Sequence, residues 1–135
     1  MDIESIDAAL RKLGLEPKRA QPMTRIGFWR LGGPADLFVK IPSRDALRAL
    51  RALDIPITVI GNGSNMLVSD QGIRGVTVRL VGEFLESEIT REGTQARVVA
   101  GGGLLNTVLL RRLSKAGVVG LACLAGVPGT VGGAI

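Results

Sequence analysis

Glycine sets the first limit on the architecture of this chain. It supplies 19 of the 135 residues, about twice the usual share of roughly 7%. The glycines are not strung along a flexible linker. Gly32–Gly33, Gly61 with Gly63, Gly101–Gly103 and the five between Gly120 and Gly133 account for 12 of them, and each group abuts an apolar run. Inside a helix a glycine costs about 1 kcal/mol relative to alanine, so grouped glycines belong where backbone must turn or come close to something. The rest of the chain is 46% hydrophobic and 21% charged, with a mean hydropathy of +0.32. That composition folds around a core, and the length fits one domain or part of a larger one.

Several kinds of chemistry are excluded. The chain has no His and no Tyr, and a single Cys. It therefore holds neither a Ser-His-Asp or Cys-His catalytic set nor a Cys/His zinc site, and no metal is expected. Lys and Arg total 17 against 12 Asp and Glu, a net charge of +5, but the basic residues are scattered and the longest runs are pairs such as Lys18-Arg19 and Arg111-Arg112. The only aromatics are Phe28, Trp29, Phe38 and Phe84, too few to interleave with a basic groove, so no nucleic-acid partner is expected. Cys123, in the apolar stretch Val118 to Val127, is expected to be a small buried hydrophobe. The acidic start M-D-I-E-S-I-D lacks the cationic and apolar regions of a signal peptide. No run of about 18 apolar residues exists to span a bilayer. The expectation is a cytoplasmic protein without a membrane partner, in which the sequon Asn62-Gly63-Ser64 is coincidental.

Periodicity organises the chain as a mixture of helices and strands. Ile3, Ile6, Leu10 and Leu13 repeat at helical spacing and Gly14 follows, predicting a helix over 2–13. Pro17 and Pro22 mark a connecting loop. Residues 35–41 read as a strand between Pro34 and Pro42, and Ser43 as the N-cap of a helix over 44–53. In that helix Arg44, Arg48 and Arg51 form a solvated face. A short apolar strand over 57–60 leads into the loop 61–65, with a brief strand expected at 66–68 and another at 76–81. Residues 84–90 and 95–100 read as a hairpin, and a helix over 104–116 stops at Gly117. This unsegregated mixture is α+β.

Two glycine-rich loops carry the chemistry. G-N-G-S-N, Gly61 to Asn65, follows a buried strand, and glycines at alternate positions let amides converge as an anion nest with Ser64 and Asn65 adding side-chain donors. The pentapeptide alone is equally compatible with a tight turn that binds nothing. G-V-P-G-T-V-G-G-A, Gly126 to Ala134, joins the fixed φ of Pro128 to glycines that admit close approach and to the Thr130 hydroxyl. Neither is a P-loop, because no G-x-x-x-x-G-K-[ST] occurs, and G-N-G-S-N lacks the third glycine and the following helix of a Rossmann loop. Together they suit the two sides of a dinucleotide. W-R-L-G-G-P-A-D, Trp29 to Asp36, is by itself a turn into a strand, with Arg30 at the surface.

In order, R-L-G-G-P-A-D, V-I-G-N-G-S-N-M-L-V-S-D and G-L-A-C-L-A-G-V-P-G-T-V-G-G-A-I resemble the N-terminal part of the UDP-N-acetylenolpyruvoylglucosamine reductase (MurB) family, over nearly all of the chain from about Trp29. The chain departs from the family pattern at Gly27-Phe28, where an Asn-Thr or His-Thr pair is frequent, and at Ala122, where Glu is common. The resemblance implies an α+β FAD-binding fold of the vanillyl-alcohol oxidase type with two α+β subdomains, incomplete at its C-terminus. It implies a single FAD-binding domain over 1–135, with an N-terminal helix and linker over 1–20 and the FAD-binding region over 21–135.

The resemblance places non-covalent FAD with its pyrophosphate on Gly61, Asn62, Gly63, Ser64, Asn65 and Met66. Val127, Pro128, Gly129, Thr130, Gly132, Gly133 and Ala134 line the other side. It implies hydride transfer from NADPH through the flavin to UDP-N-acetylglucosamine enolpyruvate, giving UDP-N-acetylmuramate for peptidoglycan, by a monomeric enzyme. The family's catalytic Ser (or Cys), Glu and Arg lie beyond residue 135, so the chain is expected to be an N-terminal piece with no catalytic residue of its own. The competing readings are another FAD-linked oxidoreductase of the same fold and a non-catalytic nucleotide-binding module.

Overall fold

The computed structural model describes residues 2–135; the first residue of the expected 1–20 segment lies outside them. Two sheets organise the chain. Helix α1 (Ile3–Lys12) is capped by Asp2, whose carboxylate accepts the Ser5 amide at 2.8 Å. Strands β1 (Lys18–Pro22), β2 (Pro34–Ile41), β3 (Ile57–Val59) and β4 (Ile73–Leu80) form the larger sheet, in the order β1-β2-β4-β3. β1 is antiparallel to β2, while β2 and β3 both run parallel to β4. Helix α2 (Arg44–Arg51) makes the crossover, and the Ser43 hydroxyl caps it by accepting the Ala46 amide at 3.2 Å. Two parallel strands in one sheet need such a crossover, because a tight turn can only join antiparallel ones.

The pleat sends alternate residues of β2 to opposite sides. Leu37, Val39 and Ile41 meet Ile6 and Leu10 of α1, Leu50 of α2, and Val76 and Val78 of β4 in the main core. Phe38, and Ala35 across a register shift ahead of Leu37, join Met23 and Ile60 in a second cluster on the other side. The smaller sheet is the hairpin of β5 (Ser87–Glu92) and β6 (Gln95–Ala100). Helix α3 (Asn106–Lys115) packs on it through Leu109 and Leu113, with Ile89 and Val98 against them. Gly117 stops α3 with φ +65°. The last element is a single helical turn, α4 (Val131–Ala134).

Four expectations are corrected. The stretch between Pro17 and Pro22 is not all connecting loop, because β1 occupies Lys18–Pro22 at the edge of the sheet. An edge strand can be polar and end in proline, so it lacks the apolar pattern of a strand. Residues 66–68 form no strand; Met66 and Val68 pack on the second cluster while their backbone stays irregular. Phe84 and Leu85 belong to a 3₁₀ turn ahead of the hairpin. Cys123 is exposed, not buried. It sits in the short 3₁₀ turn Ala122–Leu124, which runs along the rim of an open apolar groove with Val98 and Ile135 and has nothing packed over it. Among the described residues no helix is long and apolar enough to cross a membrane.

Candidate functional site

The site forms beyond the carboxyl ends of parallel strands, the side of an open α/β sheet where ligands usually sit. β3 ends at Val59, Ile60 donates its amide to the Val78 carbonyl at 2.9 Å, and the chain then turns away at Gly61. β4 ends beside it with Arg79 and Leu80. Gly63 makes the turn possible, with φ +71°, a conformation that costs residues with a Cβ about 1–2 kcal/mol. The amides of Gly61, Asn62 and Gly63 donate to no protein acceptor among the described residues. Three successive unspent donors at one bend are what an anion nest requires.

The second loop is fastened in place before it meets the first. Asn106 donates its backbone amide to the Gly129 carbonyl at 3.0 Å, and its side chain reaches the Val127 carbonyl at 3.1 Å. Val131 donates to Leu104 at 2.8 Å and Gly132 to Gly102 at 2.9 Å. This stitching leaves Thr130 opposite Leu105 and aims its hydroxyl at the first loop. A Cβ on Gly61 would lie 2.5 Å from the Thr130 hydroxyl oxygen, so only glycine lets the two loops come this close. The Ser64 hydroxyl completes the contact by donating to the Pro128 carbonyl at 3.2 Å. On its outer side the first loop is held by Trp29, whose indole N–H donates to the Ser64 carbonyl at 3.1 Å.

Between the loops lies a cavity of about 450 Å³. Its walls are Val59, Ile60, Leu80, Val81, Leu85 and Leu105. Its polar rim holds Gly61, Asn62, Arg79 and Thr130, with Gly102, Gly103, Gly132 and Gly133 bringing bare backbone to the edge. An apolar chamber with a few convergent donors is the usual form of a cofactor site, and its volume suits part of a dinucleotide.

Of the residues singled out from sequence, Gly61, Asn62, Thr130, Gly132 and Gly133 line this cavity. Gly132 and Gly133 present α-carbons only, since their amides are spent on the Gly102 and Thr130 carbonyls. Gly63 supplies the bend, Ser64 the tie between loops, and Met66 packs on the second cluster. Asn65, Val127, Pro128 and Gly129 flank the cavity without lining it, and Ala134 faces the groove beside Cys123. Sequence reading passed over Arg79, Leu80, Gly102 and Gly103. Gly101–Gly103 is a glycine group just ahead of the helix expected over 104–116, and Arg79 lies inside the strand expected over 76–81.

A protein family described as FAD binding domain matches residues 43–135, which include both loops and every wall of the cavity. This chain belongs to the FAD-binding domain family. Within that family it is similar to the UDP-N-acetylenolpyruvoylglucosamine reductase of Phenylobacterium zucineum, at 43% identity over 87% of this chain and 39% of that protein. The reductase of the same name from Anaeromyxobacter is 42% identical over 93% of the chain and 39% of the relative. The crystal structure of UDP-N-acetylenolpyruvylglucosamine reductase from Thermus caldophilus superposes with a TM-score of 0.70 at 34% identity, covering 88% of this chain and 41% of that one. The chain thus spans about two fifths of the length of these curated relatives. The α+β FAD-binding fold expected from the motifs agrees with these likenesses and with the two-sheet architecture.

Proposed function

We propose that residues 1–135 are a single FAD-binding domain that holds FAD non-covalently between the two glycine loops, as the flavin-binding part of a UDP-N-acetylenolpyruvoylglucosamine reductase. The observation that carries this reading is the pairing of unspent amides at Gly61–Gly63 with an apolar chamber closed on its far side by Thr130 and Gly132–Gly133. The reductase activity of the relatives supplies the reaction. In this reading the residues 61–66 loop receives the pyrophosphate, and residues 127–134 line the opposite side near the phosphates and the flavin.

The residues around this cavity would hold FAD, and the cofactor would supply the chemistry of hydride transfer from NADPH to the enolpyruvyl double bond of the UDP-sugar. The chain's own residues bind, orient and exclude water. Gly61–Gly63 aim their amides, Thr130 offers a hydroxyl, and Leu80, Val81, Leu85 and Leu105 line the cavity with apolar surface. We place no catalytic residue in this chain, and take the protein as a cytoplasmic monomer acting on UDP-sugar and NADPH in peptidoglycan synthesis.

Trp29 is the only tryptophan and sits against the first loop, so its fluorescence reports on the site. Titration with FAD should quench it saturably, and the protein should elute yellow from gel filtration. A chain that stays colourless and shows no saturable quench by FAD would sink the reading.

A further inference from the structure

One charged side chain lines the cavity, and the glycine motifs do not account for it. Arg79 is the last residue but one of β4, on the sheet face that carries Phe38 and Thr77 and away from the two helices. Its guanidinium lies 5.8 Å from the centre of the Phe38 ring and donates through Nη2 to the Ile26 carbonyl at 2.9 Å. Those contacts fix its direction. Neither contact supplies a negative charge to balance it. No carboxylate stands within 4.0 Å of it among the described residues, and its Nε is buried without a hydrogen-bond partner. Its register neighbour on β2 is another cation, Lys40.

Every other cavity-lining residue is uncharged. The guanidinium stays protonated at neutral pH even though burial lowers its pKa from the ordinary value. A half-buried cation without a counter-ion carries a desolvation cost that a bound anion would relieve. Its place is also specific, because β3 and β4 run in parallel register from Ile57–Val76 to Val59–Val78. Continuing that register puts Arg79 beside Ile60, one residue before the unspent amides.

We propose that Arg79 is the fixed cationic partner of the diphosphate in this site, working with the Gly61–Gly63 amides to hold a dinucleotide by its two phosphates. This rests on the reading of the cavity as an FAD site. It adds a charge-assisted contact from a strand to a nest that the loop alone supplies only with neutral donors. The guanidinium fork suits phosphate oxygens in a way a lysine ammonium does not.

The test compares the wild-type chain with Arg79→Met, which keeps an apolar stem on Phe38, and with Arg79→Lys, which keeps the charge but loses the fork. Binding of FAD and of riboflavin, which has no phosphate, is read by Trp29 quenching and calorimetry, and inorganic pyrophosphate is used as a competitor. Arg79→Met should weaken FAD about 10- to 100-fold and leave riboflavin within about twofold. Pyrophosphate should displace FAD from the wild type and not from Arg79→Met. Arg79→Lys should recover part of the loss, and FAD affinity should fall with salt more steeply for the wild type than for Arg79→Met. Unchanged FAD affinity in a folded Arg79→Met would overturn the proposal, as would an equal loss for riboflavin, which would mean the side chain meets the flavin ring or only supports the wall. If Arg79→Met does not fold, Arg79→Lys decides alone: wild-type pyrophosphate competition in that variant overturns the assignment. A wild-type chain that binds riboflavin but ignores pyrophosphate overturns Arg79 alone. A wild-type chain that binds no flavin at all removes the FAD reading as well.

Discussion

Single residues set the tolerances of this structure, and the glycines divide into two kinds. Gly72 has φ +81°, and a Cβ there would run into the Pro34 carbonyl. Gly93, in the hairpin turn, has φ +64° with nothing within 4 Å of a Cβ. The first carries a conformational and a steric demand; the second carries only the conformational one. Gly93→Ala should therefore cost about 1–2 kcal/mol. Gly72→Ala should cost more than about 2 kcal/mol, because backbone must move as well. Urea unfolding of the two variants separates the cases, and equal losses would mean the start of β2 yields easily. Both glycines are visible in the sequence. Only the carbonyl waiting beside Gly72 tells them apart, and it belongs to a residue 38 positions earlier in the chain.

At the scale of elements, legibility followed locality. Helix α2 announced itself through a Ser43 cap and an apolar stripe, and α3 through the Gly117 stop, since each signal lies within a turn or two of the element it ends. β1 gave no such signal, because an edge strand of Lys, Arg, Ala, Gln and Pro becomes a strand only by pairing with β2. What fastens α1 to that edge is ionic. Asp7, buried at 6% exposure, accepts from Arg19 of β1 at 2.7 Å, and Arg11 lies 3.3 Å from its other oxygen. The Arg19 hydrogen bond, opposed by burial and aided by Arg11, holds the Asp7 carboxyl below its ordinary value of 3.8. A depressed carboxylate pKa stabilises the fold above the unfolded-state value and loses that contribution as pH falls through the folded one. Asp7→Asn should therefore lower the thermal midpoint at pH 7, and the gap to wild type should narrow below about pH 4. A gap that stayed constant down to pH 2 would show that Asp7 acts through packing and not through its charge.

The whole molecule is two packed units, the four-stranded sheet with α1 and α2 and the hairpin with α3, meeting at the cavity. Gly61, Asn62 and Arg79 come from the first unit, and Thr130, Gly102 and Gly132 from the stretch that follows the second sheet. A ligand seated there clamps both, so FAD at about 100 times its dissociation constant should stabilise the chain by about 2.7 kcal/mol. Ser64→Ala, which removes the tie to Pro128, should weaken FAD about 2- to 10-fold, with the FAD-free melting curve little changed. Thermal scans with and without FAD check both, and FAD that shifts neither curve would show that it does not bind the folded chain. The α+β class and the two glycine loops were legible because turn glycines, caps and apolar periods act over a few residues and are written locally, while the flavin was implied only by the family resemblance of the ordered motifs. Which amides remain unspent, why Gly132 and Gly133 contribute only bare α-carbons, and that a strand arginine stands uncompensated beside the nest were decided by the tertiary fold. Those properties depend on carbonyls and carboxylates supplied or withheld by segments tens of residues away, and only the packed chain brings them to one place.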